Sequence, residues 1–558
     1  MKLIECVPNF SEGRDLQKIK AITDAIESVK GARLLDVDPG ADTNRTVVTF
    51  VADPESVVDA AFLAIQKASE LIDMRQHSGA HARMGATDVC PFIPVAGVTV
   101  EECIALAEKL AERVADELSI PVYLYENAAR EEKRRNLATI RQGEYEGLAD
   151  KLKDPAWQPD FGEAIFNAKS GATVIGVREF LIAYNVNLNT RDRKLAHDIA
   201  LTIREQGRLK RDSTGAVMSD EAGNKLREPG LLKNCKAVGW YIDSYQCAQV
   251  SINLTDYNVT NVHHAFEAVA AEAHKRGLRV TGSELVGLIP LKAIKEAGAF
   301  YLERQGKSAG VPDEELLRIA VQSLGLAELT PFKPEEKIID YMVAPEDAAP
   351  LVKMTLREFA NELSVDSPAP GGGSVSAVSG ALAAGLASMV AHLTIGKKGY
   401  EAQQGTMLKL PVKAQALKDA LLKLIDDDTT AFNQVMAAMK LPKKSDEQKA
   451  ARAEAMELAT QQAIRVPLTV AELSLEAMEL CEIVARDGNT NSLSDAGVGA
   501  LQALAALEGA IMNVMINLPG VTDEIFKTET KNKADKLLSK GRALKEKITA
   551  GVWKTLNQ

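Results

Sequence analysis

Paired cysteines are absent from this chain of 558 residues. The six cysteines are scattered and form no CxxC pair, standing at Cys6, Cys90, Cys103, Cys235, Cys247 and Cys481. Such spacing excludes a disulfide framework and a thiolate zinc site, and it indicates a reducing compartment. The opening residues MKLIECVPNF contain an early acid and no long apolar run, which does not fit a signal peptide. We therefore expect a cytoplasmic protein.

Clustered basic residues and long apolar runs are also missing. The net charge of −11 is spread along the chain, so a nucleic-acid partner is not expected. The most apolar stretch, residues 380–395, is shorter than the ~20 residues that a membrane helix needs. It predicts a buried helix in a soluble domain, with no membrane partner. Apolar residues at 46% and charged residues at 26% are typical of a globular protein.

Strand and helix patterns alternate over about the first 340 residues, in an order that repeats. The order β-α-β-β-α-β predicts an α+β fold of tandem ferredoxin-like subdomains. Beyond residue 354 the strand pattern disappears, and long Ala/Leu/Met/Glu/Lys stretches predict an all-α helical bundle of about five helices. The predicted units are an N-terminal subdomain over 1–180, a second subdomain over 181–342, a linker over 343–353 and the helical domain over 354–558.

The first long helix of the predicted bundle carries small residues four positions apart. Ala377, Ala381 and Gly385 would allow a neighbouring helix to approach closely. Simple packing is the ordinary interpretation of such a stripe, and a ligand-binding role is the alternative.

The loop DMRQHSGAHARMGATDV, residues 73–89, is the most unusual segment of the first half. It places His77 and His81 with two arginines and two glycines between a helix and a strand. Histidine titrates near neutrality and suits proton transfer. The alternatives are a structural histidine that hydrogen-bonds a carbonyl, and a metal site, although Gly79 between the two histidines argues against a shared helical face.

Two further turns are rich in polar or flexible residues. In the turn 36–45, Asn44 and Arg45 are candidate donors to a carboxylate, beside Asp38. Ahead of the first long helix, the segment PAPGGGS provides Gly371, Gly372, Gly373 and Ser374, whose backbone N–H groups suit an anion. A solvated turn is the alternative in the first case. A flexible entry loop with Ser374 as a helix cap is the alternative in the second.

Three consecutive acids, 426–428, lie on a predicted amphipathic helix. At 100° per residue, Asp428 falls within the apolar stripe, seven residues from both Leu421 and Val435, whereas Asp426 and Asp427 face elsewhere and should be solvated. Burial would raise the pKa of Asp428 toward the range useful for a base. An Asp that caps or bridges helices is the structural alternative.

At this point the chain resembles a known family over nearly its whole length. The motifs of the first half resemble glutamate formiminotransferase, namely ECVPNFSEG (5–13), LLDVDPGADTNRTV (34–47), HSGAHARMGATDVCPFIPV (77–95), REQGR (204–208), GWY (239–241) and LVGLIPLKA (285–293). The motifs of the second half are similar to the cyclodeaminase/cyclohydrolase family, namely APGGGSVSA (369–377), the acids 426–428, GNTNSLSD (488–495) and NVMINL (513–518). The order of the two halves is that of formiminotransferase-cyclodeaminase.

This resemblance implies a bifunctional folate enzyme of histidine degradation. One domain would transfer a formimino group from N-formimino-L-glutamate to tetrahydrofolate. The other would convert 5-formiminotetrahydrofolate to 5,10-methenyltetrahydrofolate with release of ammonia. The family's transferase histidine falls on His81 and its cyclodeaminase aspartate on Asp428.

The resemblance also implies the binding partners. A folate-contacting stretch falls on residues 162–171, which include Gly162, Phe166 and Gly171. Polyglutamylated tetrahydrofolate is the implied co-substrate, no metal is expected, and the family implies a homo-oligomer. The loop 209–234 is longer than the family's and alters the local edge of the expected folate cleft.

Two alternative functions remain at this stage. The helical domain also resembles methenyltetrahydrofolate cyclohydrolases, so the chain is alternatively a transferase fused to a cyclohydrolase. A non-catalytic helical scaffold is the alternative outside enzymes.

Overall fold

A computed structural model describes residues 2–41, 43–79, 82–221, 223–243, 245–344 and 350–558. These residues form two compact units, one of residues 1–293 with 324–343 and the other of residues 294–323 with 344–558. Segment 294–323, which the sequence suggested belongs to the second α/β subdomain, therefore clusters with the C-terminal helices. Two contacts account for this: the Ser308 hydroxyl donates to the carbonyl of Leu408 at 2.7 Å, and a Cβ added to Gly310 would lie 2.2 Å from Pro411.

The first sheet contains seven strands. They are β1 (Leu3–Cys6), β2 (Asn9–Phe10), β3 (Ala32–Gly40), β4 (Arg45–Ala52), β5 (Thr87–Ala96), β6 (Val122–Glu126) and β7 (Thr173–Val177). Strand β1 and its continuation β2 lie between β4 and β5, β3 pairs with the far edge of β4, and β7 runs parallel to both β5 and β6. The helices are α1 (Leu16–Glu27), α2 (Val57–Leu71), α3 (Val100–Leu118), α4 (Leu137–Ile140) and α5 (Leu148–Lys151).

Side-chain alternation gives this sheet two different faces. Cys6, Phe50 and Phe92 point into the apolar core beneath α1, α2 and α3. Their neighbours on the same strands, Glu5 and Thr49 among them, line the opposite, open face. All six cysteines are free thiols, as the sequence predicted, and the two that lie closest, Cys6 and Cys90, have sulfur atoms 3.5 Å apart.

The second sheet has four antiparallel strands in the order β11-β12-β8-β13. Its elements are β8 (Ile182–Leu188), α6 (Arg193–Ile203), β11 (Cys235–Ile242), β12 (Cys247–Leu254), α7 (Val262–Lys275) and β13 (Val280–Val286). The polar loop after α6 is largely exposed and contains a short ribbon of β9 (Arg208–Leu209) and β10 (Arg227–Glu228). Together the two sheets form a mixed α/β region that precedes a helix-rich region.

The remaining elements are helices. They are α8 (Leu291–Arg304), α9 (Asp313–Leu324), α10 (Pro334–Lys337), α11 (Ile339–Val343), α12 (Leu356–Leu363), α13 (Gly372–His392), α14 (Gln404–Met439), α15 (Asp446–Asp487), α16 (Leu493–Asn517) and α17 (Glu524–Leu556). Five of them, α13 to α17, are long, which agrees with the predicted number, and α13 packs against α14, α15 and α16. Short 3-10 helices cover Glu132–Arg134, Pro155–Trp157, Glu401–Gln403, Thr490–Ser492 and Leu518–Gly520.

Two helical stretches, Gly372–His392 and Thr490–Gly520, are long and apolar enough to cross a membrane by length and composition alone. The protein buries 61% of the most apolar window of the first and 44% of the second. Helices at the centre of a soluble bundle have the same composition, so this finding is weak evidence for a membrane. The expectation of no membrane partner stays a prediction.

The small-residue stripe on α13 packs differently from the prediction at one position. Ala377 and Ala381 are buried, as a close helix approach requires. Gly385, however, has open space where a Cβ would be. The tight position is Gly380, where an added Cβ would lie 2.6 Å from the hydroxyl of Ser474 and 3.1 Å from Leu421.

The two glycines should therefore respond in opposite directions to alanine. Gly385→Ala should raise the free energy of unfolding by about 0.5–1 kcal/mol, because it lowers the backbone entropy of the unfolded chain without a clash. Gly380→Ala should lose about 1–3 kcal/mol relative to Gly385→Ala through overpacking. Urea unfolding of both variants, followed by far-ultraviolet circular dichroism, measures the difference. Equal stability of the two variants would contradict the packing described here.

Candidate active sites

A cleft of about 680 Å³ lies against the open face of the first sheet. The second sheet contributes the other wall, through residues such as Lys236, Asn253 and Val286. Charged side chains of both signs line it, the bases being Arg45, Arg135, Arg141, Arg178 and Lys236 and the acids Glu5, Asp36, Asp38, Glu126, Glu179 and Asp256. The cleft therefore suits a polar ligand that itself carries charges.

Two of the residues predicted at this site, Asp38 and Arg45, line the cleft together. Asp38 lies on β3 opposite Val47 of β4, and Arg45 begins β4. Burial lowers the pKa of Arg45, and the nearby guanidinium of Arg141 acts in the same direction. The structure thus brings the predicted acid and base of the turn to one end of the cleft.

Asn44, the third residue predicted in this turn, faces the protein. Its side-chain carbonyl accepts from the Gly13 N–H at 3.0 Å, and its amide donates to the carbonyl of Ser78 at 2.9 Å. Its φ of 48° is left-handed, a conformation that Asn tolerates better than most residues. Asn44 therefore joins the turn to the start of the histidine loop.

The histidine loop is anchored on this turn. The Nε2 atom of His77 lies 2.9 Å from the carbonyl of Asn44, and Arg83 donates to its Nδ1 atom at 3.3 Å. A Cβ on Gly79 would lie 2.3 Å from the carbonyl of Thr43. His81, the predicted transferase residue, lies outside the described residues. Both ring nitrogens of His77 have partners, which argues against His77 as a metal ligand.

A buried ion pair stands where the histidine loop meets β5. Asp88, 1% exposed, pairs with Arg141 and accepts the backbone N–H of Met84 at 3.0 Å. Burial raises the pKa of Asp88, whereas Arg141 lowers it. Asp88 belongs to a motif that the sequence had marked, but no pattern indicated Arg141 as its partner.

Glu5 is a second buried acid on the cleft face, and sequence reasoning did not single it out as a site residue. Its side chain is 3% exposed, and no donor within the described part of the chain reaches its carboxylate. Burial raises the pKa of Glu5 to about 7, and attraction to Arg178 only partly offsets this. An acid that changes charge near neutrality therefore lies on the cleft floor.

The predicted folate stretch, 162–171, adjoins the histidine motif and does not line the large cleft. Gly171, with φ of +70°, lies so close to Met84 that a Cβ would be 2.2 Å from the Met84 carbonyl. The ring of Phe166 packs on Tyr145 at 5.5 Å, and the Tyr145 N–H donates to the carbonyl of Arg83. Gly162 turns with φ of +85°, and a Cβ there would lie 3.2 Å from the Cβ of Ala115.

In the helical unit, the glycine-rich segment and Asp428 meet. A Cβ on Gly373 would lie 2.1 Å from the Asp428 carboxylate, so only glycine permits this approach. The Ser374 hydroxyl lies 3.2 Å from Asp428 Oδ2 and donates to the carbonyl of Ile425 at 3.0 Å. Burial raises the pKa of Asp428, and hydrogen bonds from Ser374 lower it in part. Two features predicted separately therefore form one site.

The first turn of α13 leaves its backbone donors near this carboxylate. Gly371 is the N-cap and makes no side-chain cap, so Ser374 is not the cap that one interpretation of the sequence expected. On the other side, the side-chain amide of Asn513 would lie 3.2 Å from a Cβ on Gly372. Residues of α13, α14 and α16 thus surround the same point.

The neighbouring acids differ from Asp428, but not quite as predicted. Asp427 forms an ion pair with Lys423 at 2.9 Å and is partly exposed. Asp426, predicted to be solvated, is half-buried and accepts the backbone N–H groups of Leu351 and Val352. It therefore fixes residues 351–352, which the sequence placed in a linker.

The motif 488–495 lies at the other end of α13. The Asn489 N–H donates to Thr394 at 2.8 Å, and Lys397 donates to the Asn489 side chain at 2.5 Å. The Thr490 N–H donates to the hydroxyl of Tyr400, whose pKa is lowered by these bonds with Thr490. Helix α13 has 21 residues and begins at Gly372, so the motif at its other end lies about 30 Å from Gly372.

Comparison with protein families gives the class of each part. Residues 3–178 match the formiminotransferase domain, N-terminal subdomain, and residues 183–344 match the formiminotransferase domain. Residues 355–536 match the model described as formiminotransferase-cyclodeaminase. Both sites described above fall within these matches.

Relatives cover the chain as a whole and each half separately. Formimidoyltransferase-cyclodeaminase of Sus scrofa is 45% identical over 97% of this chain and 97% of its own length. Glutamate formimidoyltransferase of Streptococcus pyogenes serotype M1 is 39% identical over 54% of this chain and 94% of its own. Methenyltetrahydrofolate cyclohydrolase of Methylorubrum extorquens is 41% identical over 36% of this chain and 98% of its own. The chain belongs to the formimidoyltransferase-cyclodeaminase family.

The buried carboxyl of Glu5 should make folding stability depend on pH. An unfolded Glu titrates near 4.5 and folded Glu5 near 7, so between these values the folded protein holds a proton that the unfolded chain has lost. The parent should therefore lose stability as the pH rises through this window, and Glu5→Gln should not. Urea unfolding at about pH 6 and about pH 8 measures the difference.

Glu55→Gln, at an exposed acid, is the matched control and should follow the parent. The same pH dependence in Glu5→Gln and the parent would show that Glu5 does not carry the effect.

Proposed function

We propose that this chain catalyses two consecutive folate reactions. The first transfers the formimino group of N-formimino-L-glutamate to N5 of tetrahydrofolate. The second closes 5-formiminotetrahydrofolate to 5,10-methenyltetrahydrofolate and releases ammonia. One observation carries the proposal: a relative named for both activities is 45% identical over 97% of both chains, so both halves are present in one polypeptide.

The proposal includes several finer features. The strand order β11-β12-β8-β13 supports a ferredoxin-like second subdomain. The enzyme is cytoplasmic, acts in histidine degradation, forms a homo-oligomer, uses polyglutamylated tetrahydrofolate and needs no metal, no membrane and no nucleic acid. The units 1–180, 181–342 and 354–558, joined by the linker 343–353, are its proposed domains.

In the first reaction, N5 of tetrahydrofolate attacks the formimino carbon and a tetrahedral intermediate forms. The glutamate nitrogen then leaves after it gains a proton. His81 acts as the general acid and base, and the anchored ends of its loop support that role. Arg45 attracts the glutamate carboxylates, Asp38 attracts the cationic formimino group, and Asn44 holds the loop. Gly162, Phe166 and Gly171 form the folate side of the site.

In the second reaction, N10 attacks the formimino carbon, and the former imino nitrogen leaves as ammonia. Asp428 takes the proton from N10 or balances the amidinium charge, which its burial beside Gly373 supports. The backbone N–H groups of Gly371, Gly372, Gly373 and Ser374 orient the folate.

A cyclohydrolase is the second candidate for the helical half, favoured by the 41% identity with a methenyltetrahydrofolate cyclohydrolase. That enzyme class adds water to a methenyl group, whereas a cyclodeaminase releases ammonia. Ammonia release from 5-formiminotetrahydrofolate by the full chain separates the two. A non-catalytic scaffold would show neither reaction.

His81→Ala should remove most transferase activity, because general acid–base groups contribute about 10²–10⁴-fold. The assay supplies N-formimino-L-glutamate and tetrahydrofolate and follows the release of glutamate. Cyclodeaminase turnover of added 5-formiminotetrahydrofolate should be unchanged, which controls for folding. His77→Ala, which only loosens the loop, should lose less. Near-normal transfer by His81→Ala would remove His81 from the mechanism, and no transfer by the parent would overturn the first activity.

Asp428→Asn should lose ammonia release and keep transferase activity. It should also fold at least as well as the parent at neutral pH, because the burial that raises the pKa of Asp428 disfavours its charged form, and asparagine carries no charge. Asp427→Asn, which changes a partly exposed ion pair, should stay near the parent rate. Equal loss of ammonia release in both variants would indicate a shared acidic cluster in place of a single base.

A further inference from the structure

We propose that Arg141, held by the buried carboxylate of Asp88, binds the α-carboxylate of the formimino donor together with Arg45, and so selects its amino-acid part. The inference rests on the proposed transferase function of the same cleft. Arg141 and Arg45 both line the cleft.

The contacts of Arg141 leave part of its guanidinium available. Its Nε donates to Asp88 Oδ1 at 3.4 Å, and its Nη2 donates to Asp88 Oδ2, so one edge of the group is occupied. A guanidinium carries five N–H donors, and within the described part of the chain those on Nη1 and on the outer side of Nη2 have no hydrogen-bond partner and can reach a ligand. The paired edge fixes the plane in which these donors point.

Asp88 is well placed to hold that orientation. It is 1% exposed and also accepts the Met84 N–H at 3.0 Å, so its carboxylate is fixed by two partners on different segments. Met84 lies three residues beyond His81 along the loop. Asp88 is thus a positioning residue that sets Arg141 against the end of the histidine loop.

Arg45 supplies a second cation at the same place. The closeness of Arg141, added to burial, lowers the pKa of Arg45, and Asp88 and Asp38 oppose this effect. Two guanidinium groups near one buried carboxylate are stabilised when an anion joins them. A carboxylate fits best, because arginine can bind its two oxygens with parallel N–H donors.

The position of this pair favours the donor substrate over folate as the source of that carboxylate. In N-formimino-L-glutamate the reacting nitrogen and the α-carboxylate are bonded to the same carbon, so both must lie within a few ångströms of the reacting centre. The glutamate of tetrahydrofolate is separated from N5 by the length of the p-aminobenzoyl group. A carboxylate site beside the loop of His81 therefore suits the formimino donor.

The test compares two donors in the full chain. Arg141→Gln should lower kcat/KM for N-formimino-L-glutamate by about 10–100-fold, the usual effect of hydrogen bonds to charged groups. It should leave kcat/KM unchanged for N-formimino-4-aminobutyrate, which lacks the α-carboxylate. Asp88→Asn should raise KM for N-formimino-L-glutamate more than it lowers kcat, because it loosens Arg141 without touching substrate. Equal losses for both donors in Arg141→Gln would overturn the proposal.

The control is Arg135→Gln, another cleft arginine, whose one ion pair among the described residues is with the exposed Glu132 at 3.8 Å. It should keep the parent's preference between the two donors. Weaker tetrahydrofolate binding by Arg141→Gln, with donor affinity unchanged, would assign the arginine to the folate tail and overturn the proposal.

Binding of L-glutamate, the released product, tests the site without turnover. Calorimetry should detect it with the parent and find it weakened about 10–100-fold with Arg141→Gln. If the parent transfers no formimino group but shows this difference, the proposed function fails and the carboxylate site stands. If the parent transfers the group but Arg141→Gln binds L-glutamate equally well, only the carboxylate site fails. Arg141→Lys, which keeps the charge, provides a variant for the same comparison if Arg141→Gln does not fold.

Discussion

Both sites depend on glycine residues, because a missing Cβ lets the backbone lie very close to a neighbouring group. In the transferase half, Gly79 lies against the carbonyl of Thr43, so the histidine loop can rest on the turn between β3 and β4. In the helical half, Gly373 lies against the carboxylate of Asp428. A Cβ at Gly79 would lie 2.3 Å from the Thr43 carbonyl and one at Gly373 2.1 Å from the Asp428 carboxylate, so a side chain at either position would force the elements apart.

Burial of charge is the second physical theme of the two halves. Glu5 and Asp88 are buried and Asp428 is half-buried, and burial raises the pKa of all three. Among the described residues their surroundings differ: Asp88 has an arginine and a backbone donor, Asp428 has donors from Ser374 alone, and Glu5 has no donor. The least compensated acids are the ones whose charge is most easily changed by a ligand or a proton, whereas Asp88 is suited to hold a neighbour in place.

Local periodicity was sufficient to predict much of the fold. The alternation of strands and helices over the first half was recognised from local patterns, and the long helices of the second half from composition and length. The repeated order implied a last strand in the second subdomain but did not locate it; the structure places it at β13, whose pairing partner, β8, is distant in the chain. The association of 294–323 with the C-terminal helices was missed, since α8 and α9 resemble any amphipathic helix until their partner is known.

In the candidate sites, too, some features follow from the local sequence and others from tertiary packing. The sequence alone determined that Asp428 lies within an apolar stripe, because helical phase is a local property, and that the loop of His77 is chemically unusual. Only the tertiary structure decided that Asp428 meets Gly373 from 55 positions earlier, and that Asp88 pairs with Arg141 from 53 positions later. Contacts of this kind depend on how helices and strands pack, and packing depends on the shape of the whole core. A pattern within one segment specifies which of its faces is apolar, but the partner of each polar group is set by the segments that the fold brings beside it.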